Sequence, residues 1–81
     1  MGLDAVDLVL SIEEAFGIEI AVEDYGDLKT VGQLHDYIVR KSAFPDDDVW
    51  ESLRSVIVRT LHVQPEEITA QTRFIEDLKL D

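Results

Sequence analysis

The chain contains no cysteine, two prolines, four glycines and one tryptophan, and it sets only 7 Lys+Arg against 18 Asp+Glu. Each scarcity excludes something. Without cysteine there is no disulfide, no thiol nucleophile and no thiolate-bound zinc. A net charge of −11 leaves no clustered basic face for a phosphate backbone or an anionic lipid surface. Nucleic acid and membrane are therefore not expected partners. No apolar run approaches the roughly 20 residues that span a bilayer, and no basic-then-apolar signal segment opens the chain. The expectation is a soluble cytoplasmic domain. Gly2, Gly17, Gly26 and Gly32 stand apart from one another, so no glycine-rich phosphate loop exists.

What is present is enough for a core. The chain has 81 residues, the size of one domain, and 46% of them are hydrophobic, too many for a disordered acidic tail. The charge is unevenly spread. Asp4, Asp7, Glu13, Glu14, Glu19, Glu23, Asp24 and Asp27 precede the first basic residue, Lys29. One end of the sequence is a concentrated anionic surface that suits basic partners.

The periodicity predicts an all-α bundle of three main helices and one or two short ones. Over 3–16, Leu3, Val6, Val9, Leu10, Ile12 and Phe16 recur at helical spacing, with Asp4, Asp7, Ser11 and Glu14 opposite. Gly17 marks the stop. Ile18-Glu19-Ile20 reads as an extended anchor, and 21–29 as an acidic loop with room for one helical turn. Thr30 and Gln33 have capping-box spacing, ahead of a helix with Val31, Leu34 and Ile38 inward and Arg40 and Lys41 in its last turn. Residues 42–47, with Pro45, read as a linker. A third helix is expected over 48–61, capped by Asp48 and Glu51, with Val49, Leu53, Val56, Ile57 and Leu61 inward. A short final helix is expected around Phe74–Leu78, capped by Thr69 or Thr72.

The usual catalytic and metal arrangements are missing. His35 and His62 lie on different helices, and neither has a second ligand at helical spacing. Asp46-Asp47-Asp48 lacks the alternating ligands, central glycine and terminal glutamate of a calcium loop, and a helix N-terminus accounts for the three carboxylates. Ser11, Ser42, Ser52 and Ser55 lack the context of a nucleophile. The remaining carboxylates read as a solvated face, and Trp50 as a core or rim packer. The chain is not expected to be an enzyme or to hold a metal.

Two segments resemble the two halves of an acyl carrier protein, in reverse order. Leu61-His62-Val63-Gln64-Pro65-Glu66-Glu67-Ile68-Thr69 comes after an amphipathic helix and leads to Phe74-Ile75-Glu76-Asp77-Leu78-Lys79-Leu80-Asp81. That ending is similar to the family's F-x-E-D-L-G-x-D-S-L signature and stops at the Asp before the Ser. Leu3-Asp4-Ala5-Val6-Asp7-Leu8-Val9 resembles the family's residues immediately after that Ser. Glu13-Glu14-Ala15-Phe16-Gly17-Ile18-Glu19-Ile20 resembles E-E-x-F-G-I-E-I, and Thr30-Val31-Gly32 with Asp36-Tyr37-Ile38 resembles the last helix. The resemblance implies an acyl-carrier-like four-helix bundle, circularly permuted and cut at the D-S-L motif. Residues 1–41 would match the family's C-terminal part and 48–81 its N-terminal part. The linker 42–47 would join the old termini, and six residues reach roughly 20 Å when extended. Surface termini lying close together make such a rearrangement tolerable.

The resemblance further implies a module of fatty acid or polyketide synthesis whose prosthetic group is 4′-phosphopantetheine. The position of the attachment Ser falls on Gly2, which has no hydroxyl, so no cofactor is expected on this chain. Lys79, where the family usually has Gly, is a lesser departure. Asp81, Asp4, Asp7, Glu13, Glu14 and Glu19 match the acidic positions that basic surfaces of carrier-modifying and acyl-chain enzymes grip, among them phosphopantetheinyl transferases and ketosynthases. Val6, Leu10, Phe16, Ile20, Val31, Ile38, Ile57, Leu61 and Phe74 would form the core and line the acyl space. A monomer is the favoured state, with a dimer swapped about the linker as its variant. The alternative function is an acidic helical interaction module that binds basic surfaces and carries nothing.

Overall fold

The first helix, α1 (Leu3–Phe16), ends where its sequence says it should. Gly17 takes the left-handed conformation (φ 65°), and the Ile18 N–H donates to the Glu13 carbonyl at 3.2 Å, the closure of a Schellman-type cap. The Glu13 side chain then accepts from the Ile20 N–H at 2.8 Å, which pins the exit strand. In this computed structural model the backbone is described for residues 3–78 and side chains for residues 6–78. The expectations placed on Gly2, Lys79 and Asp81, and on the side chains of Leu3 and Asp4, lie outside the described residues.

After the extended Ile18–Ile20 anchor, a 3-10 helix (Val22–Asp27) fills the acidic loop. It is tied down by Tyr37, whose hydroxyl donates to Asp24 Oδ2 at 2.8 Å and accepts from the Ala21 N–H at 3.4 Å. The second helix, α2 (Val31–Lys41), starts with the expected capping box. Thr30 Oγ1 accepts from the Gln33 N–H at 3.2 Å, and Gln33 Oε1 accepts from the Thr30 N–H at 3.0 Å. Such a cap contributes about 1 kcal/mol.

The third helix, α3 (Asp46–Leu61), begins two residues earlier than expected. Its N-cap is Pro45, no side chain caps it, and the Asp48–Glu51 box does not form. Proline holds φ at −61° without an N–H to satisfy, so the helix can start directly behind it with Asp46, Asp47 and Asp48 in the first turn. The connection between α2 and α3 thus shortens to residues 42–45. At the other end His62 is not helical but is the C-cap, in the left-handed region at φ 59°.

A one-turn 3-10 helix (Pro65–Glu67) comes next. The short final helix is absent among the described residues. Thr72 Oγ1 is buried and donates to the Glu67 carbonyl at 2.8 Å while it accepts from the Thr69 N–H at 2.8 Å. Residues 73–78 instead form a turn in which the Asp77 and Leu78 N–H groups share the Arg73 carbonyl and Asp77 Oδ2 closes on the Arg73 N–H at 2.8 Å. The Thr72 hydroxyl is committed to Glu67 and Thr69, so it caps no helix over 73–78.

The architecture is therefore all-α, with α1 packed on α3, α2 packed on α3, and no strand among the described residues. The core runs through Leu8, Ile12, Phe16, Ile20, Val31, Leu34, Tyr37, Ile38, Val49, Leu53, Val56, Ile57, Ile68, Phe74 and Leu78. Leu61 is half-buried at its edge. Val6 and Leu10 correct the expected stripe: they are 53% and 54% exposed, and Leu8, absent from that stripe, is buried at 3%. Leu8, Ile12 and Phe16 succeed one another at i, i+4 on one face, and Val6 and Leu10 lie about a third to a half turn away from it.

Candidate functional site

The loop 69–75 lies across the start of α2. The Val31 N–H donates to the Thr72 carbonyl (2.9 Å), the Gly32 N–H to the Ala70 carbonyl (3.0 Å), and the Phe74 N–H to the Lys29 carbonyl (3.1 Å). Gly32 is needed for this approach, since a Cβ there would sit 2.8 Å from the Ala70 oxygen. The backbone contacts carry Phe74 and Ile75 over to the side of α1.

Between α1, the Val22–Asp27 helix, the start of α2 and this loop lies an open cavity of about 570 Å³. Leu8, Val9 and Ile12 form its α1 wall, with Ile20, Leu28, Leu34, Phe74 and Ile75 completing the apolar lining. Tyr25 and Gly26 form a rim, and Lys29 and Glu76 are the charged residues along it. Its size falls in the range of small-molecule sites. Of the residues expected to line an acyl space, Ile20 and Phe74 line this cavity. Phe16, Val31, Ile38 and Ile57 are buried elsewhere in the core, Leu61 is at the core edge, and Val6 and Leu10 face outward. The sequence pattern could not reveal this, because half of the lining belongs to loops that carry no periodicity.

The outer face of α1 is mixed rather than purely acidic. Asp7 and Glu14 are exposed, as are Val6 and Leu10, and helical spacing places the four along one side. Glu19 is exposed beyond the helix end. Glu13 differs from the others: its carboxylate is engaged with the Ile20 N–H, so it shapes the turn as well as adding charge.

Residues 3–38 match the family described as "Phosphopantetheine attachment site". Over 41 residues the chain is 44% identical to an acyl carrier protein of Syntrophobacter fumaroxidans (strain DSM 10017 / MPOB). It is 46% identical over 41 residues to an acyl carrier protein of Thermosynechococcus vestitus (strain NIES-2133 / IAM M-273 / BP-1). The matched part of the chain is similar to acyl carrier proteins. Each relative is covered over 51% of its length and of this chain, so the chain spans about half the length of the curated relatives it matches. Both relatives are named as carriers rather than as enzymes. No solved structure shows significant similarity to the chain.

The matched segment starts at Leu3, directly after Gly2. Glycine offers no oxygen for a phosphodiester. Ser11, the nearest serine, is nine residues further along the sequence. Among the described residues no group of His, Cys, Asp or Glu could hold a metal ion, and no helix is long and apolar enough to cross a membrane.

Proposed function

We propose that the chain is an acyl-carrier-type module with the family's two halves in reverse order, and that in this form it carries no acyl group. The carrying observation is where the family match falls. It covers residues 3–38, and the part outside it contains α3 and a loop whose sequence is similar to the family's opening segment. That loop reaches back over α2 and helps enclose the cavity beside α1. In this reading residues 1–41 and 46–81 are the two halves, and residues 42–45 join them.

The parent activity is the shuttling of thioester-linked intermediates in fatty acid or polyketide synthesis. This chain keeps the apolar cavity and the acidic helix but has Gly2 where the hydroxyl belongs. With no tether, the cavity receives no covalently delivered chain. What is retained is a docking face. Asp7, Glu14 and Glu19, together with Asp4, Glu13 and Asp81, would meet basic surfaces of phosphopantetheinyl transferases or ketosynthase-type enzymes. Charge of one sign speeds encounter and gives salt-sensitive, modest affinity, which suits transient partners. Intact mass spectrometry after incubation with a phosphopantetheinyl transferase and coenzyme A tests the reading. The mass is expected to stay unchanged, and a gain of one phosphopantetheine would overturn it.

A second reading is a plain interaction module that binds basic protein surfaces. The half-exposed Val6 and Leu10 between acidic neighbours favour it, because such a face offers apolar contact inside a charged rim. The two readings part on which partner binds: carrier-partner enzymes in the first, other basic proteins in the second.

A further inference from the structure

His35 sits midway along α2, and both of its ring nitrogens face oxygen atoms. Nε2 lies 2.8 Å from Asp46 Oδ1 and 3.4 Å from the Asp46 carbonyl, and Nδ1 lies 3.2 Å from Asp36 Oδ1. The imidazole is 13% exposed, whereas the two carboxylate side chains are 74% and 72% exposed. Asp36 is the next residue on α2, and Asp46 is the first residue of α3. The ring therefore bridges the corner at which the chain turns from one helix to the other through residues 42–45. Trp50, one turn further along α3, packs edge-to-face on the imidazole with centroids 5.5 Å apart.

A neutral imidazole has one N–H, so it can satisfy only one of these two acceptors and turns a lone pair toward the other. An imidazolium donates to both. We infer that His35 is a proton-operated clasp: protonated, it holds α2 to the first turn of α3, and on losing its proton it releases one of the two carboxylates. Asp36 and Asp46 are the charged groups that face it from α2 and α3.

Partial burial opposes the charge and pulls the His35 pKa down, but the contacts with Asp36 and Asp46 together outweigh it and leave the pKa above the usual 6.5. A folded-state value above the unfolded one stabilises the bundle below the unfolded pKa. That stabilisation is lost as the pH rises through the folded value. The clasp thus loosens on the alkaline side of 6.5, at the corner that joins the two helices. The inference stands on the geometry of this corner and does not depend on the carrier reading.

Trp50 is the only tryptophan, so its emission reads this corner alone. The test is a fluorescence titration of the full chain from about pH 5.5 to 8.5, the range in which histidine changes charge. The same samples give thermal midpoints at each pH. In the wild type, Trp50 emission is expected to show a one-proton step with its midpoint above 6.5, and the thermal midpoint to fall across that step. Asp46→Asn, at an exposed side chain, should keep the fold and move the step to lower pH. His35→Gln should abolish the step, and because His62 is retained, the difference belongs to His35. An absent step in the wild type, or a midpoint that Asp46→Asn leaves in place, would overturn the inference.

Discussion

Replacing Gly32 with alanine should destabilise the chain although it improves an α-helix. In a helix interior the exchange favours folding by about 1 kcal/mol, and in the first turn by only part of that. Most of that gain is the stiffening of the unfolded chain, about 0.4–1 kcal/mol for a Gly→Ala exchange, and it counts once. Against this, the new Cβ would lie 2.8 Å from the Ala70 oxygen, 3.1 Å from its Cβ and 3.3 Å from its Cα. Two of those three atoms are backbone, so no side-chain rotation relieves the contact. Overpacking of this kind costs about 1–3 kcal/mol. Pushing the loop away also weakens the 3.0 Å bond from Gly32 N–H to the Ala70 carbonyl, a further loss of about 1 kcal/mol. The net expectation is about 1–2 kcal/mol of destabilisation, read by urea unfolding or as a fall of roughly 5–15 °C in Tm. Gly26→Ala is the control, since nothing lies within 4 Å of the Cβ it would add and its φ is not in the left-handed region. If Gly32→Ala left the protein as stable as the wild type or more so, the loop 69–72 would not be docked on α2. The enclosure of the cavity would fall with it.

The register of α1 makes a sharp comparison. Leu8→Ala removes a side chain that is 3% exposed and should cost about 2–5 kcal/mol in urea unfolding. Leu10→Ala, at 54% exposed, should change stability by no more than about 0.5 kcal/mol. Reversing charge with Asp7→Lys and Glu14→Lys should leave the fold intact and weaken binding to a carrier-partner enzyme, with the wild-type affinity falling as salt rises. Calorimetric titration at two ionic strengths checks this, and binding that survives the reversal would contradict docking through α1.

Much of the fold was legible because local chemistry coincided with tertiary demand. Thr30 and Gln33 cap a helix whose stripe is unambiguous, and Gly17 stops one whose end needs a left-handed residue. The register of α1 was not legible. Ala5, Val6, Leu8, Val9, Leu10 and Ile12 spread apolar residues over more than half of the helix circumference, so the buried face within that arc is chosen by packing on α3 rather than by pattern. The start of α3 was misplaced because Asp48 and Glu51 have capping-box spacing, while Pro45 begins the helix without any side-chain cap. Thr69 and Thr72 have the right chemistry for a helix cap but bond to each other and to Glu67, which only the folded loop decides. The His35 corner and the cavity depend on residues far apart in sequence, and neither leaves a periodic trace. The acidic positions were legible as charge, but the apolar pair among them was not.

The central claim is that two halves of an acyl carrier run here in reverse order around a missing serine. It is tested most directly by restoring the order: residues 46–81, then a serine in place of Gly2, then residues 3–45, treated with a phosphopantetheinyl transferase and coenzyme A. The account predicts a folded helical protein whose intact mass rises by one phosphopantetheine. A reordered chain that folds yet stays unmodified would contradict it.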